Sequence, residues 1–254
     1  MPENIEPEKS GRMNFGIRHY LPEGLMLFIA VALGFISENV REGIVERNTT
    51  RELAQNMITD LQSDTANLKG FIEYFSEART YVDSLNALLL REDLDSIPNG
   101  KLYFYGLFGG ARRLYVSNDA AFQQLRSSGL LRRIADKSIR KRILDYERIN
   151  REVSEEAEWD NLLYVEVRKV RGLIFDYRFN REANEITLSI RNQPDSARLN
   201  TFLNADPPLL TSDPVLFNQY MELVRSRNFA RIVNRAARLH REATDLIQAL
   251  EAAY

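Results

Sequence analysis

Residues 24–36, Gly24-Leu-Met-Leu-Phe-Ile-Ala-Val-Ala-Leu-Gly-Phe-Ile36, run for thirteen positions without a charge, and this stretch constrains the chain more than any other. A bilayer span takes about 20 residues, and runs of about 10–14 fit a buried core helix or a signal-peptide core better. Three features argue for a membrane anchor all the same. Tyr20-Leu21-Pro22 and Ser37 extend the tolerable stretch to about eighteen residues, with Glu23 able to snorkel toward headgroups. The run is apolar on every side, whereas a surface helix keeps a polar face. It also follows Lys9, Arg12 and Arg18 near the N-terminus, where a signal anchor belongs. A cleaved signal is the sharper rival, but Ser37-Glu38-Asn39-Val40-Arg41 offers no small-x-small cleavage site. The segment therefore reads as a transmembrane helix at residues 20–38, behind a polar tail at residues 1–19.

Orientation rests on a near tie, with Lys9, Arg12 and Arg18 before the segment and Arg41, Arg47 and Arg51 after it. The α-amino group and His19 tilt the balance toward a cytoplasmic N-terminus, which places the larger part outside the cytoplasm.

Beyond the segment, Leu61, Leu68, Ile72, Phe75, Val82, Leu85 and Leu89 recur in helical steps and share one face. The spacing predicts a helical stalk over residues 39–96, stopped by Ser96-Ile-Pro-Asn-Gly100. Residues 97–118 are rich in aromatics and glycine and read as an irregular connection packed on a bundle. Gly106, Gly109 and Gly110 lack the glycine-lysine-serine/threonine ending of a phosphate loop.

A helical domain follows over residues 119–254. Ser117 or Asn118 reads as the N-cap of a short helix carrying Phe122 and Leu125 and ending at Gly129. A long helix starts near Asp136, with Ile139, Ile143, Tyr146, Val153 and Ala157 in a four-three rhythm that changes phase around Trp159. Residues 185–191 alternate apolar and polar side chains and read as one short strand or an extended linker. Asp213-Pro214 opens a helix to about Arg227, and a last helix from Phe229 to Ala252 carries a wide apolar stripe. The fold class is thus mostly all-α: an N-terminal transmembrane helix, a helical stalk, and a helix-bundle or coiled-coil domain with at most one short strand.

Charge and composition narrow the chemistry. With 34 basic and 36 acidic residues the net charge is −2, so no whole-chain field recruits nucleic acid or anionic lipid. The chain has no cysteine and only two histidines, His19 and His240, which removes thiolate chemistry and multi-histidine metal centres. His240 borders the apolar stripe of the last helix and reads as a bundle-edge residue. No acid–histidine–nucleophile set can be assembled, so neither catalysis nor a cofactor is expected. The densest basic cluster is Arg126, Arg132, Arg133, Lys137, Arg140, Lys141 and Arg142, facing one acid, Asp136. Its ordinary reading is a solvated face pairing with the acidic stretch that follows; its functional reading is a contact for anionic lipid or an acidic protein.

Two stretches resemble an uncharacterised family of bacterial single-span membrane proteins. In the first, Tyr20-Leu-Pro-Glu-Gly-Leu-Met-Leu-Phe-Ile-Ala-Val-Ala-Leu-Gly-Phe-Ile36, an acid (Glu23) precedes the apolar run and Ser37-Glu38-Asn39 forms a polar exit. The second, Ser117-Asn-Asp-Ala-Ala-Phe-Gln-Gln-Leu-Arg-Ser-Ser-Gly-Leu-Leu-Arg-Arg-Ile-Ala-Asp136 on to Tyr146, is similar to that family's aromatic-x-x-Leu-x-Ser-x-Gly element and basic helix. The likeness covers roughly residues 17–150. It implies a helical protein of the bacterial inner membrane with one pass and no established activity.

Ala30 and Gly34 form a small-xxx-small pair that permits close helix approach. Together with the stalk they predict a homo-oligomer, with Glu38 and Asn39 as polar rings at the mouth of the assembled helices. The expected partners are the lipid bilayer, further copies of the chain and other proteins. The expected role is an anchored scaffold or sensor, against a pore lined by one span from each copy.

Overall fold

The computed structural model describes residues 17–192 and 196–254. Most of the polar tail expected at residues 1–19 lies outside the described residues, and helix α1 already begins at Ile17. That helix, Ile17–Arg91, runs for 75 residues. The chain divides into two units, Met1–Arg51 and Glu52–Tyr254, so α1 supplies its two parts to different units.

In the first unit, α1 is long and apolar enough to cross a membrane, and none of its apolar window is buried. Leu25, Phe28, Leu33 and Phe35 are all exposed, so no protein core claims this segment. In the second unit, α1 buries Leu53, Met57, Leu61, Leu68, Phe71, Phe75 and Leu85, in the helical steps that the sequence shows. Residues 52–91 of the expected stalk therefore belong to a packed core.

All regular elements among the described residues are helical. After a 3-10 turn at Leu94–Ser96 come α2, Asn99–Leu107, and a second 3-10 turn, Phe108–Gly110. The irregular connection expected at residues 97–118 is thus corrected: its first half is a helix that buries Leu102, Tyr103 and Phe104. Between Asn99 and Ala120, residues 111–119 are the part without regular structure. Helix α3, Ala120–Ser127, is followed by Gly129 at φ 75°, the left-handed stop that glycine adopts without strain. A 3-10 turn at Leu130–Arg133 leads to α4, Lys137–Ile174, whose first amides are capped by the Asp136 carboxylate.

The short strand expected at residues 185–191 is also corrected, because it falls in α5, Tyr177–Asn192. A strand would put Ile186 and Leu188 on the same face. Instead Ala183 and Ile186 are buried while Leu188 is exposed, a helical pattern, and Thr187 Oγ1 donates to Ala183 O at 2.9 Å. No second strand exists among the described residues to satisfy an extended backbone. Helices α6, Ser196–Leu203, α7, Pro214–Arg227, and α8, Phe229–Ala253, complete the fold. Asp213 caps α7 through Val215 N at 2.8 Å with Pro214 at the first helical position, as the sequence predicts. Helix α4 packs on α7 and α8 and meets α1 where Tyr146 reaches Asp64, while α2 packs on α5 and α6.

Candidate functional site

The residues singled out by sequence fall on two surfaces. Ala30, Gly34, Glu38 and Asn39 are exposed on α1. A Cβ placed on Gly34 would meet nothing within 4 Å, so the small-residue step is open to a neighbouring helix. Glu38 is engaged by its own helix, accepting from Arg41 Nε at 3.0 Å. A ring of Glu38 carboxylates would therefore carry Arg41 guanidinium groups beside it.

The basic cluster forms the start of α4 and the turn before it. Arg132, Arg133, Lys137, Lys141 and Arg142 are exposed, and Arg140 Nη1 donates to Arg132 O at 3.0 Å. Among the described residues, Arg132, Lys137, Lys141 and Arg142 have no acidic partner, whereas further along α4 Arg148 pairs with Glu152 at 2.6 Å. Cations at a helix N-terminus also oppose the macrodipole. The pairing with the acidic stretch expected for a merely solvated face is absent for these four side chains.

Three further features escaped the sequence. Asp64 of α1 is 0 % exposed, yet its carboxylate accepts from Asn118 N at 2.8 Å, Asn118 Nδ2 at 3.1 Å and the Tyr146 hydroxyl at 2.9 Å. Burial pushes the Asp64 carboxyl up, and these donors partly offset it. The buried Tyr115 and Tyr146 hydroxyls beside it are pushed up as well, chiefly by desolvation. At the rim Glu147 is pushed up to about 7, by burial first and then by the nearby Asp119 and Asp64 carboxylates. Asn118, expected as an N-cap, is instead a partner of Asp64.

The second feature is Arg227 at the end of α7, fully buried. Its guanidinium meets Asp160 at 2.7 and 2.6 Å and donates to Gly109 O and Ala111 O, each at 2.7 Å. Phe229 lies beneath it, 4.8 Å from ring centre to guanidinium carbon. The glycines of this turn are there for close approach: a Cβ on Gly109 would fall 2.1 Å from the Tyr220 hydroxyl. Nearby, the buried Glu156 carboxylate is held by Arg231 and, at 3.0 Å, by Arg235.

The third is a groove of about 730 Å³ between the last turns of α1, the length of α7 and the start of α8. Val82, Leu89, Phe217 and Met221 give it an apolar floor, and Arg79, Asp83, Glu222 and Arg225 line its rim.

These features describe an all-helical protein with an unburied apolar helix segment, structural buried charges, and surfaces suited to contacts. No protein-family model matches the chain, and no curated protein or solved structure does either.

Proposed function

We propose that this chain is a membrane-anchored helical scaffold or sensor that works by self-association and by binding protein partners. The observation that carries the reading is the apolar window of α1, none of which is buried. A core helix of a soluble domain would be covered by its own protein, and leaving so many large apolar side chains in water is strongly unfavourable. The resemblance of residues 17–150 to single-span bacterial proteins supports an anchor in the inner membrane, and the α-amino group and His19 before the segment favour placing the 52–254 unit outside the cytoplasm. The open surface at Ala30 and Gly34 supports association within the bilayer. The groove at the end of α1 and the unpaired cations at the start of α4 are the surfaces offered to partners.

Alkaline extraction tests the anchor. The full chain is expected to stay with the membrane pellet, and replacing Phe28 and Val31 by arginine should release it. Release of the unaltered chain into the supernatant would sink the proposal. A pore is the competing role for the same segment. Conductance in reconstituted bilayers that is lost on deleting residues 21–37, and altered in ion selectivity by Glu38→Gln, would replace scaffolding with transport.

A further inference from the structure

Helix α4 is packed by α7 and α8, yet its C-terminal half also carries large apolar residues in water. Trp159 is 70 % exposed, Leu162 62 % and Leu173 57 %, and Val165 is exposed beside them. Steps of three, four and seven residues put Trp159, Leu162, Glu166, Lys169 and Leu173 on one stripe. An apolar stripe of this kind on a solvent-facing helix marks a contact surface. Its charge pattern says what kind. Glu166 and Lys169 form an exposed pair at 2.7 Å between the apolar residues, and such a surface pair is held weakly enough to exchange partners. A two-fold axis passing between Val167 and Arg168 exchanges Leu162 with Leu173 and Glu166 with Lys169. The stripe is therefore complementary to itself when two α4 helices run antiparallel, with leucine on leucine and carboxylate on ammonium.

We propose that this face of α4 is the interface between two copies of the chain. The proposal deepens the self-association reading above and moves its specific contact outside the membrane segment. One helix face buries less than the ~800 Å² per partner of a standard interface. Confinement of both copies to one membrane raises their effective concentration and makes so small a contact sufficient.

Trp159 is the only tryptophan in the chain, so its emission reports this face alone. The full chain is reconstituted in phosphatidylcholine vesicles over a range of protein-to-lipid ratios. Emission should shift to the blue as protein density rises. Glu166→Lys sets ammonium against ammonium, and should weaken association roughly tenfold or more and reverse the shift. Adding Lys169→Glu exchanges the charges and should restore it, which also shows that the variants fold. An emission maximum that ignores protein density, or a double variant that stays as weak as the single one, overturns the interface. A blue shift present at all densities and untouched by Glu166→Lys means that the face lies on lipid, and overturns it too. Flotation of the vesicles reports the anchor separately. A chain that fails to float yet dimerises through α4, read by sedimentation with the same variants, would remove the anchor and keep the interface.

Discussion

Glu147 carries a pH dependence whose sign follows from its surroundings. Its carboxyl moves from the ordinary 4.5 to about 7 because burial and the Asp119 and Asp64 carboxylates disfavour its charge. The folded chain thus holds this proton more tightly than the unfolded chain. Its stabilising contribution is complete below the ordinary value and is lost as pH rises through about 7. Urea unfolding should show this part of the stability falling between those two values. Glu147→Gln should flatten that slope and raise stability at pH 8 by about 1–2 kcal/mol after allowance for solvent screening. A variant with the same slope as the parent would show that the charge is relieved by another route. The sequence gives no hint of this group, because Glu147 is one of many acids in its stretch and its neighbours come from α1 and the segment before α3.

Helix starts divide into those closed locally and those closed from afar, and that division explains what was legible. Asp136 and Asp213 cap their own helices, so α4 and α7 were readable to within a residue. The N-cap position of α3 is Asp119, whose side chain caps nothing; the Ala121 amide donates instead to Asp60 Oδ2 at 3.2 Å. Helix α2 begins after Pro98, with the Asn99 amide on Asp206 Oδ1 and the Gly100 amide on Ala205 O, both at 3.0 Å. No window of sequence contains both partners of such a cap, so from sequence α2 looks like a connection and α3 looks as if it starts one or two residues early. The same limit applies to α5, whose alternating letters fit a strand until packing on α2 and α6 selects the helix. Asp60→Ala should destabilise the fold by about 1 kcal/mol, and Asp119→Ala by clearly less, measured by chemical denaturation. The reverse order would return the capping role to the local residue.

The two units differ in what they need. Leu53, Ala54 and Met57 of α1 are already buried, so the packed unit begins close to Glu52. A chain started at Glu52 should unfold cooperatively and remain in solution, whereas one started after Leu61 should lose cooperative unfolding, as followed by circular dichroism. Equal behaviour of the two would mean that the first turns of this unit are dispensable. The apolar segment, helices α4, α7 and α8 and the Gly129 stop were legible because each is local. Arg227 was not, since an arginine reads as surface until Asp160 and two carbonyls of the glycine turn surround it. That arrangement also fixes an order of events at the ribosome. Arg227 is made some 190 residues after Ser37. At about 5–20 residues per second, roughly 10–40 s separate the two. For that interval the apolar segment is out while the turn at Gly109 has no guanidinium to close on and α2 lacks its distant caps. If the segment is the anchor proposed above, it reaches the bilayer before the long-range contacts that close the packed unit can form.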